Sequence, residues 1–260
     1  MRLRLAIALS ATCLGCDLSM TLDPEPYDEL SDHERAASQA IHTRWVQWDS
    51  YLASVSGGAH HLGPIVGDPS RIDVCIEDYW VVLNLGDGRI HLSVWENLSP
   101  GQQQRWASWF DEPVEAAAVR YRTFFYEWVA LHLAGIETVF RVQGVEWVYS
   151  HRHTFKIERD AERMAVNYAT ERNRAIFDYA RACCRVIRSR FDARWGSAFT
   201  MEYYGEHLRE LTDPDDLSGY LYFLCRHLED AEARRVEYHA SFRAELEVLE
   251  AYLTLDDAEL

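Results

Sequence analysis

The sequence predicts a mainly helical α+β fold: a helical bundle with a long C-terminal helical hairpin and a small antiparallel β-sheet. Three observations carry this expectation. Apolar residues recur at three- and four-residue spacing through several long stretches, two of which finish the chain. The segments 89–95 and 145–157 alternate with a period of two instead, and 78–85 is rich in β-branched and aromatic residues. Clusters of Gly, Pro and acids fall between these stretches, where turns and helix starts belong.

The elements follow in order. Ser31 and Glu34 form a capping box ahead of a helix whose apolar stripe is Ile41, Trp45, Trp48 and Leu52, and Gly57-Gly58 stops it. A loop holding His60-His61 runs to about Ser70. The β-branched and aromatic run 78–85, the turn Gly86-Asp87-Gly88 and the alternating run 89–95 read as a β-hairpin. Ser99-Pro100 starts a helix to about 110, and a strongly apolar helix follows over about 113–140. In 145–157 Val145, Trp147, Tyr149, His151, His153, Phe155 and Ile157 fall on one side, which predicts a strand completing a three-stranded sheet. A helix over about 160–195 then carries Met164, Tyr168, Ile176, Tyr179, Cys183 and Ile187 inward. Thr212-Asp-Pro-Asp-Asp216 starts its partner, whose stripe opens with Leu221, Leu224, Leu228 and Ala231.

The first sixteen residues have a different character. Arg2 and Arg4 precede an apolar run from Leu5 to Leu14, and Gly15-Cys16 closes it. This is the layout of an export signal, and the run is too short to span a bilayer as a helix. The Leu14-Gly15-Cys16 ending resembles the lipobox of bacterial lipoprotein precursors, although the place three before the cysteine holds Cys13 rather than Leu. The resemblance covers residues 1–16 alone. It implies acylation of Cys16 and anchoring on the outer side of a bacterial membrane. Cys13 and Gly15 also suit an ordinary signal peptidase, so plain secretion, periplasmic or beyond, stays open, as does an uncleaved leader. The expected organisation is a signal peptide over 1–15, an acidic tether over 16–31 and one globular domain over 32–260. The tether holds five acids, two prolines and no basic residue.

The formal charge is −16, and removal of Arg2 and Arg4 with the signal takes it to −18. Such an excess of acid argues against nucleic acid as a partner and against docking on anionic lipid through charge. The expected partners are the bilayer, through acylated Cys16, and a protein or cell-wall component of the envelope. In an oxidising envelope Cys75, Cys183, Cys184 and Cys225 are candidates for disulfides. Cys183 and Cys184 point about 100° apart on a helix, so they are not expected to bond each other.

Motifs with known chemistry are absent from the sequence: there is no His-Glu-x-x-His, no Glu-x-x-His, no Gly-x-Ser-x-Gly and, beyond the leader, no Cys-x-x-Cys. No cofactor is therefore expected. Two weaker constellations remain. His151 and His153, two apart on a strand, would project from one face and share a divalent metal such as zinc, given a third ligand. Glu127 and His132 are ionisable groups in an otherwise apolar helix, and a carboxylate in such surroundings has its pKa raised, as general acids do. Five residues place them about 140° apart, so an arginine partner for Glu127 is the simpler expectation. His207 and His227 read as surface positions on helices. The expected function is thus a non-catalytic envelope lipoprotein that binds a protein or cell-wall partner. The alternative is a metal-dependent enzyme using His151 and His153, with Glu127 as base or third group.

Overall fold

The protein is described here by a computed structural model covering residues 30–58, 60, 62, 72–73, 81–84, 89–143, 151–211, 213 and 216–234. Its first helix, α1 (Asp32–Val55), opens on the expected capping box. Ser31 Oγ accepts from Glu34 N at 3.3 Å, and the Glu34 carboxylate accepts from Ser31 N at 2.8 Å. It ends where Gly57 and Gly58 take positive φ values of 65° and 85°, conformations that favour glycine, with Gly58 N donating to Ala53 O. Trp45 and Trp48 are wholly buried, and each finds a partner for its indole N–H: Ala130 O at 2.9 Å and Thr138 Oγ1 at 3.0 Å. These two bonds seat α1 on the central apolar helix.

That central helix has three parts. After α2 (Pro100–Trp109) comes α3 (Val114–Thr123), then a π-helical turn over Phe124–Val129, then α4 (Ala130–Gln143). From Phe124 to Val139 every residue but Glu127 is buried, as expected of a helix surrounded by others, whereas α3 keeps an exposed face at Glu115, Ala116 and Val119. Next come α5 (His151–Arg172) and α6 (Arg174–Trp195), the short α7 (Met201–Glu206) and α8 (Leu208–Leu211), and finally α9 (Ser218–Arg234). The principal helix contacts are α6 with α9, α4 with α5, and α5 with α9.

The α+β class does not hold. The part of the structure that defines the fold is 85% helical and contains no strand. Outside it, extended pairing among the described residues is limited to three segments two to four residues long, Ile72–Asp73, Val81–Asn84 and Arg89–Leu92. Ile72–Asp73 runs parallel to Arg89–Leu92, which itself runs antiparallel to Val81–Asn84. The strand expected over 145–157 does not form from His151 onward, where the chain makes the first two turns of α5; 144–150 lie outside the described residues. The buried positions Ile157, Glu158, Ala161, Glu162 and Ala165 show why, since they recur at helical spacing. Pairs at i,i+4 such as Glu158 and Glu162 need a helix to share a face, and burial of that face outweighed the local alternation.

The helix expected over 160–195 is two helices. Asn173, with φ −149° and ψ 67°, leaves helical geometry and caps α6 by accepting from Ile176 N. The C-terminal pairing itself is present: α6 and α9 run antiparallel, with Trp195 Nε1 on Ser218 Oγ at 3.2 Å near one end and Arg181 on Glu232 at 2.7 Å near the other. Cys184 and Cys225 join them covalently, Cα to Cα 5.0 Å. Leu221, Leu224, Leu228 and Ala231 are buried, and the remainder of the expected stripe lies outside the described residues.

Candidate functional site

The centre of the bundle holds a chain of ionisable groups. Glu158 and Glu162 sit one turn apart on α5 and face α4, where His132 stands between them. His132 Nε2 lies 2.6 Å from Glu158 Oε2, and its Nδ1 lies 2.6 Å from Glu162 Oε2. His132 and Glu162 have no solvent exposure, and Glu158 has 3%. The remaining acceptor positions are filled from three further elements. Trp128, in the π turn, donates its indole N–H to Glu162 Oε1 at 2.9 Å. Tyr204 of α7 donates to Glu158 Oε1 at 3.2 Å, and Tyr220 of α9 reaches Glu158 Oε2 at 3.5 Å. Every carboxylate oxygen therefore has a donor, the condition under which a buried polar network holds rather than loosens a core.

Charge follows from this geometry. Burial by itself would lower the imidazole pKa, but the hydrogen bonds and negative charge of Glu158 and Glu162 override it and bring His132 up to about 9. The ring is thus an imidazolium at neutral pH, donating from both nitrogens. Burial raises the Glu162 carboxyl, and the hydrogen bond from His132 opposes that rise. Tyr204 and Tyr220 are held well above the usual phenol range, first by burial and then by the Glu158 charge, so both remain neutral donors.

A second histidine lies nearby in the opposite condition. His227 of α9, expected at the surface, is 2% exposed. Its ring packs edge-on to Phe155 with centroids 4.7 Å apart and against Phe199 at 5.3 Å. Its Nε2 is buried and has no hydrogen-bond partner among the described residues. Burial, then the positive charges of His132, Arg159, Arg163 and Arg226, push it well below the usual imidazole range.

The sequence-derived candidates fare differently. Glu127 is ion-paired to Arg44 of α1 and is 23% exposed; it does not join His132. His151 and His153 occupy the first turn of a helix, where positions two apart lie about 200° apart, so the shared strand face on which the metal expectation rested does not exist. Among the described residues no group of three or more His, Cys, Asp or Glu could hold a metal ion. Cys16 and Cys75 lie outside the described residues. Cys183 is a buried thiol whose Sγ is 3.6 Å from Arg120 Nη1. Trp106 and Trp109 are buried like Trp45 and Trp48, so these four offer no exposed aromatic face to a sugar or peptide.

Sequence reasoning weighed His132 with Glu127 and missed Glu158, Glu162, Tyr204 and Tyr220. The available signal was the i,i+4 pair of glutamates, matched by Arg159 and Arg163 at the same spacing, which marks a helix face rather than a strand.

The network is sealed. Acid–base catalysis needs a substrate within hydrogen-bond reach, and no atom of His132 or Glu162 meets solvent. A surface cleft lined by His33, Glu96, Arg122 and Tyr126 encloses about 190 Å³, below the usual range of small-molecule sites. No helix among the described residues is long and apolar enough to cross a membrane. No family model, curated protein or solved structure matches the chain.

Proposed function

We propose that the chain is an exported envelope lipoprotein, held to the outer side of a bacterial membrane through Cys16, whose helical domain binds a protein or cell-wall partner without catalysis. The observation that carries this reading is the Cys184–Cys225 bond between α6 and α9. Structural disulfides persist in oxidising compartments and are rare in the cytosol. It agrees with the basic, apolar and small-residue order of residues 1–16 and with the acidic tether behind them. The non-catalytic half of the reading draws on the sealed network, whose acceptors are all used inside the fold. The metal-dependent alternative has lost the common face for His151 and His153 that motivated it.

The test is expression of the full precursor in a bacterium fed labelled palmitate, beside a Cys16→Ser precursor. The wild type should take up label and sediment with membranes, and the variant should do neither. Label retained by Cys16→Ser would end the lipoprotein assignment. Unlabelled wild type in the soluble periplasmic fraction would establish plain secretion in its place.

A further inference from the structure

We propose that two buried histidines held in opposite charge states, His132 and His227, make the bundle a two-sided pH-sensitive fold, tightest slightly below neutral pH and loosened on either side. The inference does not depend on the lipoprotein assignment.

The surroundings of each ring differ in kind. His132 on α4 faces Glu158 and Glu162 on α5, both at 2.6 Å, with Trp128, Tyr204 and Tyr220 closing over those carboxylates from the π turn, α7 and α9. It is built to be positive. The charges that act most strongly on His227 of α9 are all positive: His132 from α4, Arg159 and Arg163 from α5, and Arg226 from its own helix. Its acidic neighbours in sequence pair elsewhere, Glu229 with Arg188 and Asp230 with Arg234. Phe155 and Phe199 pack on the ring, and Nε2 has no acceptor among the described residues. It is built to be neutral.

The signs then separate. An unfolded histidine titrates near pH 6.5. His132, raised to about 9 in the fold, contributes its full stabilisation below about 6.5 and loses it as pH climbs toward 9. His227 is neutral in the fold while its unfolded counterpart takes a proton below about 6.5, so acidification draws the chain toward the unfolded state. The two limbs meet near pH 6.5 because both rings share one unfolded reference. Glu162, raised by burial, works against the acid limb.

The experiment is urea unfolding of the mature full-length protein from about pH 4.5 to 9.5, together with imidazole ¹⁵N spectra. The urea midpoint should peak near pH 6.5. His227→Phe, which keeps the aromatic packing and removes the titration, should at least halve the loss of midpoint between about pH 6.5 and 5 while leaving the alkaline limb unchanged. In the wild type, His132 should be doubly protonated at pH 7.5 and His227 neutral at pH 5.5. The spectra decide the matter even if the variant does not fold. An acid limb identical in His227→Phe, or a His227 ring that titrates near 6.5 like a surface imidazole, overturns the proposal.

Discussion

Gly135 of α4 stands so close to Ala161 of α5 that a Cβ on the glycine would lie 2.7 Å from the Ala161 carbonyl oxygen. Gly135 is one turn beyond His132, and Ala161 lies between Glu158 and Glu162. The backbone approach and the ion chain are therefore one contact: absence of a side chain at 135 lets the helices close until both glutamates reach the ring.

Gly135→Ala tests this. In an exposed helix the change would gain about 1 kcal/mol. Here the obstacle is backbone, which cannot rotate aside, and a net loss of about 1–3 kcal/mol is expected from urea unfolding. The His132 ring signals should shift as well, because both hydrogen bonds lengthen. A stabilised variant with unchanged ring signals would separate the approach from the network.

Glu162→Ala leaves His132 half-paired and the Trp128 N–H without its acceptor. Breaking a buried ion pair from one side costs roughly 3–5 kcal/mol. Glu162→Gln, which keeps shape and an acceptor, should cost less and bring the His132 pKa down. Equal losses from the two variants would argue that packing, not charge, is what Glu162 contributes.

Cys184→Ser should lower stability by about 4 kcal/mol, the loop-entropy expectation for a cross-link spanning 41 residues. Thiol labelling supplies an independent check. In the native oxidised protein Cys183, buried, should react with maleimide only after denaturant is added. Rapid native labelling at Cys183 would contradict the packing described.

Asn173→Ala removes the side-chain acceptor that starts α6. A loss of about 1 kcal/mol is expected from thermal or urea unfolding. Asn173→Asp should restore most of it, since aspartate caps equally well. A stability gain in Asn173→Ala would favour one continuous helix across the break.

Much of the helical scaffold was legible because its signals are local. The Ser31–Glu34 box and the Ser99-Pro100 start need a few neighbouring residues and no distant partner, and both stand as read. The failures came where two local signals competed. Residues 151–157 alternate in polarity, yet the glutamates and arginines just beyond them repeat every four, and the burial of the glutamates against α4 decided the outcome. Asn173 was overlooked because a cap inside an otherwise continuous apolar stripe breaks no periodicity. The ion network was the least legible part. Its members come from the π turn, α4, α5, α7 and α9, and only tertiary packing makes neighbours of residues 132, 158, 204 and 220.

The π turn at Phe124–Val129 has a consequence for how this chain tolerates change in length. Such a turn carries one residue more than regular α-geometry requires, and each residue turns the helix by about 100°. Deleting one residue there would give the backbone a better helix, with nothing locally amiss. Everything from Ala130 onward would keep its phase, because the wide turn already absorbs the extra residue, whereas the same deletion within α3 would swing His132 about 100° away from both glutamates. The irregularity acts as slack in an otherwise regular helix, so the shortening that most improves the local hydrogen bonding is also the one that leaves the ion network in register.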